Sequence, residues 1–195
     1  ARYAVEKLWK VIVPSEFVKS ELTSDFRLQT SANITVVHHG YDERYRKIED
    51  AMAIEKVLQK YGIRKPFLLS VGRLEEKKNT LRIIQAFDSL NQNGNFPISS
   101  FPNFQLVLVG TPGHGYEKVK AAITQSPYKD RILTPGWIPP EDLVFIMNAA
   151  EVFVFPSLYE GFGLPVLEAM ACGTPAITSQ GSSLEEVGGD ACVYV

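Results

Sequence analysis

The chain has 195 residues, 45% hydrophobic and 22% charged, a globular mixture that excludes a disordered or fibrous protein. Its 20 Lys and Arg are set against 22 Asp and Glu, a net charge of −2, so no general basic surface invites nucleic acid. Two cysteines, Cys172 and Cys192, are too few for a disulfide framework or a four-ligand zinc site, and they read as buried free thiols in a reducing compartment. No apolar run approaches the ~20 residues of a membrane span, no signal pattern stands at the start, and both ends read as cut.

In chain order, Val11, Ile12 and Val13 predict a short strand closed by Pro14, and Ser15 predicts the cap of a helix over 16–22. A second strand is expected over 34–38, ended by Gly40. Residues 42–62 predict a helix, with Ile48, Ala51, Ile54, Val57 and Leu58 on one face. From Pro66 onward the pattern becomes denser. Apolar strands are expected over 67–72, 105–109, 132–133, 152–155, 176–178 and at the end of the chain. Helices are expected around 81–90, 117–124, 140–149, 165–171 and 183–187, and a loop over 91–103. Continuous apolar strands alternating with helices predict an α/β fold, a Rossmann-like parallel sheet with helices on both faces. In such sheets ligands bind at the carboxyl ends of the strands, where strand order reverses. That directs attention to Gly72 and Arg73, to 110–115, to Gly136 and Trp137, and to 156–165.

The richest stretch is 156–170, which leaves a strand, passes Gly161 and Gly163, and enters a helix whose Pro165 suits the first helical position. Free N–H groups at such a helix start attract anions. Glu160 precedes the helix and Glu168 is expected on its first turn, so amides for phosphates and carboxylates for vicinal hydroxyls would share one opening. A Gly-rich turn with an acid complementing the helix dipole gives the same pattern. Arg73 follows a buried strand and Lys78 precedes the next helix; together they could clamp a diphosphate, and a solvated charged loop reads the same way. The run Gly110–Gly115 lacks a Walker lysine. His114 reads as a surface residue, His38 and His39 as structural or hinge residues, and Trp137 as a core or rim residue. No Asp-x-Asp offers a carboxylate-bound metal.

Taken together, these residues resemble the retaining glycosyltransferases of family 4, with the GT-B fold. Glu160 and Glu168 with Gly-Phe-Gly-Leu-Pro-Val-Leu between them match that family's Glu-x₇-Glu signature. Val71-Gly72-Arg73 with Lys78, Leu108-Val109-Gly110 and Gly136-Trp137-Ile138-Pro139 follow in the family's order. Val13-Pro14-Ser15 and His39-Gly40-Tyr41-Asp42 look like the end of an N-terminal domain and its linker. The resemblance therefore implies that 1–42 close an N-terminal Rossmann-like domain and linker. Residues 43–195 would form the nucleotide-sugar-binding C-terminal domain, truncated at its C-terminus. Three departures stand out: Asn79 where glycine often follows the lysine, His39 in place of asparagine, and Glu185 in place of proline.

The resemblance further implies roles. Arg73 and Lys78 would bind the donor diphosphate, with Gly72 beside them, and Glu160 would contact the donor sugar. The amides of Phe162, Gly163 and Leu164 would face sugar and phosphate. Glu168 would hold the ribose, and the backbone near Ile138 would read the base. The implied reaction moves a sugar from a nucleotide diphosphate sugar, such as GDP-mannose or UDP-hexose, to a glycan or glycolipid hydroxyl with retention, without metal or other cofactor. The flavour is that of mannosyltransferases of surface polysaccharide assembly. The implied location is the cytoplasm, at the inner face of the membrane if the N-terminal domain associates with it. This chain alone, lacking the acceptor pocket, is expected to be inactive. A sugar-nucleotide epimerase of the same fold and a non-catalytic nucleotide-sugar-binding domain remain as alternatives.

Overall fold

A computed structural model describes residues 9–25, 33–92 and 104–195. A small N-terminal unit comes first: β1 (Val11–Val13), α1 (Glu16–Asp25) and β2 (Ile34–Val36), with β1 and β2 paired in parallel. Ser15 caps α1 as expected, its Oγ accepting from the Val18 N–H at 3.1 Å.

The larger unit contains α2 (Ala51–Lys60), β3 (Phe67–Val71), α3 (Thr80–Gln92), β4 (Gln105–Val109), α4 (Tyr116–Gln125), β5 (Ile132–Gly136), α5 (Pro140–Ala149), β6 (Val152–Phe155), α6 (Leu164–Ala171), β7 (Ala176–Thr178), α7 (Ser183–Gly188) and β8 (Cys192–Tyr194). Its six strands are all parallel, in the order β5-β4-β3-β6-β7-β8. The chain runs outward through β3, β4 and β5, then crosses back to lay β6 on the other side of β3. The order therefore reverses between β3 and β6, and the carboxyl ends of those two strands border the crevice where such sheets take ligands.

The apolar runs have a direct cause. In β4, Leu106 and Leu108 pack into one core with Ile83, Ile84, Phe87 and Val119 of α3 and α4. Val107 and Val109 enter the other core with Leu58, Leu143, Met147, Phe153 and Val166. A strand buried on both faces takes apolar side chains along its length, so the alternation of a half-exposed strand is lost; its one polar residue, Gln105, accepts from the Arg64 N–H at 2.7 Å.

Three expectations need correction. The helix expected over 42–62 is helical only in α2, capped by Asp50, whose Oδ1 accepts from the Ala53 N–H at 3.0 Å. Upstream, Asn148 of α5 takes the backbone: its Oδ1 accepts from the Ile48 N–H at 2.8 Å and its Nδ2 donates to the Arg46 carbonyl at 3.0 Å. Peptide groups engaged in this way cannot enter a helical ladder, and 42–50 run as a strap along α5. Second, α3 continues through Asn91 and Gln92, so the expected loop starts later; 93–103 lie outside the described residues. Third, Cys172 is a buried free thiol, but Cys192 is only half-buried.

Candidate functional site

At the β3 end, Gly110 at the tip of β4 packs so tightly on Gly72 that a methyl group at Gly110 would overlap the Gly72 carbonyl oxygen. Gly110 also has φ +146°, a conformation that favours glycine. The stem of Lys78 lies over Gly72, and Asn79 follows at φ 56°. That left-handed position explains why glycine suits it, and asparagine is among the non-glycine residues that best tolerate it.

Lys78 crosses the crevice to Glu160. Its Nζ donates to Glu160 Oε1, and their side chains are 22% and 12% exposed. The ammonium also sits 4.8 Å from the centre of the Phe155 ring. Ser157 Oγ lies 2.6 Å from the same carboxylate oxygen, and the Leu158 N–H donates to the Lys77 carbonyl at 2.9 Å. The loop after β6 is thus stitched to the loop after β3, and Glu160 is held from two sides.

The backbone of 160–164 is one-sided. Ser183 Oγ lies 2.8 Å from the Glu160 carbonyl and 3.0 Å from that of Phe162, and Ser15 Oγ donates to the Gly161 carbonyl at 2.8 Å. The Gly163 carbonyl accepts from the Val166 N–H at 3.0 Å. The N–H groups of Phe162, Gly163 and Leu164, by contrast, meet no acceptor among the described residues. A segment whose carbonyls are all engaged and whose N–H groups are free presents positive partial charge to the crevice, reinforced by the α6 dipole. Gly163 makes this possible at φ +110°, where a side chain would also strike Leu184 of α7.

The helix start differs slightly from expectation. α6 begins at Leu164 with Gly163 as its cap, so Pro165 is the second helical residue and Glu168 lies beyond the first turn. Glu168 is half-buried, and its carboxylate has no hydrogen-bond or ion-pair partner among the described residues. Burial and the nearby Asp42 charge raise its pKa from the usual 4.5 to about 7. Tyr45 on the 42–50 strap is buried beside it and is also pushed up, first by burial and then by the Glu168 charge. Asp42 is itself paired, 3.0 Å from Arg44 Nε.

Not all the expected residues converge. Arg73 is exposed at 65%, and its Nε lies 3.6 Å from Glu75, outside the Lys78–Glu160 pair. The Ile138 side chain is buried, while its N–H and carbonyl find no partner among the described residues; Trp137 beside it is exposed. His38 and His39 flank the Phe162 ring, with centroids at 5.9 and 5.3 Å. Ser15, Ser157 and Ser183, which shape the loop, were not among the expected site residues. Their hydroxyls reach residues up to 146 positions away, and only Ser15 had a local signal, as a helix cap. Among the described residues, no group of three or more His, Cys, Asp or Glu could hold a metal ion. No helix among them is long and apolar enough to cross a membrane.

Residues 53–191 match the family model described as glycosyl transferases group 1. Among similar proteins, the O-antigen chain mannosyltransferase B of Escherichia coli is 38% identical over 136 residues, 69% of this chain and 34% of that protein. The chain thus spans about a third of that relative's length. Among solved structures, sucrose-phosphate synthase from Thermosynechococcus elongatus has a TM-score of 0.78 at 26% identity, covering 100% of this chain and 47% of that one. HepE from Anabaena, in complex with UDP-glucose, has a TM-score of 0.81 at 21% identity, covering 98% and 51%; at that identity the likeness bears on the fold, which is the Rossmann-like half of a GT-B architecture. The family model covers most of the larger unit, including both walls of the crevice, and the chain belongs to the group 1 glycosyl transferases.

Proposed function

We propose that the chain is the donor-binding half of a retaining family 4 glycosyltransferase, which moves a sugar from a nucleotide diphosphate sugar to a glycan or glycolipid hydroxyl. One observation carries this reading: the three unpaired N–H groups of 162–164 stand beside the Lys78–Glu160 pair at the sheet's crossover. The diphosphate rests on those amides and on Lys78, with the exposed Arg73 folding over it. Glu168 accepts from the ribose hydroxyls, the Ile138 peptide groups meet the base, and Glu160, already fixed by Ser157, accepts from the sugar. As the bond from the anomeric carbon to the phosphate oxygen breaks, negative charge grows on the departing diphosphate. Donors already in place stabilise it without reorganising, which is how such sites lower a barrier.

Residues 1–42 then close an N-terminal Rossmann-like domain and linker, and 43–195 form the donor domain; the separate β1–β2 sheet supports that division. The likeness to an O-antigen chain mannosyltransferase favours a mannosyl group in the donor, as in GDP-mannose, over other hexosyl groups. It also favours polysaccharide assembly; the reading places the reaction in the cytoplasm, at the inner face of the membrane if the N-terminal domain associates with it. No metal or other cofactor takes part, so EDTA leaves transfer unchanged.

The test is a thermal-shift and calorimetry panel of UDP, GDP and ADP sugars on the whole transferase. A ligand that binds only the folded state at ~100 times its Kd stabilises it by about 2.7 kcal/mol. One family of nucleotide sugars should do so; no shift with any of them refutes the reading. This chain by itself should bind nucleoside diphosphate and transfer nothing, because holding the acceptor in place supplies up to ~7–11 kcal/mol of such a barrier.

A further inference from the structure

The donor loop is gripped by two elements that are far apart in sequence, and one carboxylate joins them. α7 grips it through Ser183, bonded to the Glu160 and Phe162 carbonyls, and through Leu184, packed on Gly163. α1 grips it through Ser15, bonded to the Gly161 carbonyl, and through Phe17 and Glu21, which hold Tyr159. The Phe17 and Tyr159 rings meet edge-on at 5.7 Å, and the Tyr159 hydroxyl donates to Glu21. Glu186, one turn along α7 from Ser183, closes the triangle. Its Oε1 accepts from the Glu16 N–H at 3.0 Å and its Oε2 from the Phe17 N–H at 3.3 Å, two of the N–H groups that α1 leaves without an intrahelical acceptor. His38 Nε2, just past β2, lies 2.6 Å from Oε1. Burial alone would raise the Glu186 pKa, but these donors outweigh it and hold the carboxyl below its usual range.

We infer that Glu186 is a positioning residue: it fastens the N-terminal β1–α1–β2 unit to α7, and the two together set the donor loop that carries Glu160 and the free amides. Its consequence for turnover rests on the transferase reading above; its consequence for the loop does not. Glu186 bonds to no residue assigned to the donor, so its loss should loosen the loop without removing a donor contact.

Two readouts separate these levels. The first is amide exchange on this chain. The Leu158 N–H, bonded to Lys77, reports on the loop, and the Glu16 and Phe17 N–H groups report on the fastening. In Glu186→Ala all three should exchange at least ~5-fold faster, while Leu69 and Val107 in the central strands keep their rates. Glu186→Gln, which keeps an acceptor oxygen, should stay within about threefold of the unsubstituted chain. Should the alanine variant fail to fold, His38→Ala removes only one of the three bonds and should give the same pattern, about twofold in size. The second readout is turnover of the whole transferase. Glu186→Ala should lower kcat about tenfold or more and nucleoside diphosphate affinity by a smaller factor, since Lys78 and Arg73 keep their hold while the amides loosen, and Glu186→Gln should recover most of kcat. A Leu158 rate untouched by the substitutions overturns the inference, and so does a uniform acceleration that includes the central strands. If the exchange pattern appears but the unsubstituted transferase turns nothing over, the transferase reading fails and the fastening stands.

Discussion

Glu160 and Glu168 belong to one nine-residue motif, yet the fold gives them opposite surroundings. Glu160 sits on the loop before α6, paired with Lys78 and bonded by Ser157. Glu168 sits within α6, its carboxylate without a hydrogen-bond or ion-pair partner among the described residues, facing burial and the Asp42 charge. A carboxylate already held by two donors is fixed in direction. One that lacks donors and titrates near 7 is waiting for them. On the donor-binding reading proposed above, the motif is two devices: a rigid acceptor for the reacting sugar, and an unsatisfied acceptor whose environment improves when hydroxyl donors arrive.

The sharpest way to break this contrast is to remove the rigidity. Lys78→Ala leaves Glu160 with Ser157 alone and takes a cation from the departing diphosphate. Turnover of the whole transferase should fall by roughly 10²–10³-fold, as when a preorganised donor is lost elsewhere. Steady-state kinetics check this, and a fall below tenfold would show that the pair is structural only.

Next in size is the diphosphate. Arg73→Ala and Lys78→Ala should each weaken nucleoside diphosphate binding by about 1.5–3 kcal/mol while leaving nucleoside binding alone. If Arg73 folds from its exposed position onto the same anion, the double variant should deviate from additivity. Strict additivity by calorimetry would put Arg73 outside the site.

A smaller effect concerns stability. The folded pKa of Glu168 lies above its unfolded value, so between roughly pH 4.5 and 7 the folded chain binds more protons than the unfolded chain. The stabilisation is complete below the unfolded pKa and is lost as pH rises through about 7. After allowance for solvent screening of a half-buried group, this is on the order of 1–2 kcal/mol. Glu168→Gln should flatten that slope in denaturant titrations across this window; an unchanged slope would mean that another group carries it.

How much of this was legible follows from the range of the interactions. The run Gln105–Val109 declares itself because both of its faces meet core, and the bounds of α5 because Pro140 opens it and Leu143, Ile146 and Met147 repeat at helical spacing. The two glutamates were legible from their spacing and their place after a buried strand. Their difference was not, because Lys78 and Asp42 reach them across the fold. The 42–50 strap reads as helix by periodicity, and Asn148, about a hundred residues on, explains why it is not helical. Ser183 shares that limit, since its hydroxyl's choice of carbonyls more than twenty residues away leaves no mark on its own neighbours.

The most direct test of the two-device account is calorimetric titration of nucleoside diphosphate and its cognate nucleotide sugar into Glu160→Gln and Glu168→Gln. Glu168→Gln should weaken both ligands alike, by roughly 1–2 kcal/mol, because both carry the ribose. Glu160→Gln should leave the nucleoside diphosphate within about twofold and weaken only the sugar-bearing ligand. Equal losses for both ligands in Glu160→Gln, or unchanged nucleoside diphosphate binding in Glu168→Gln, would contradict the account.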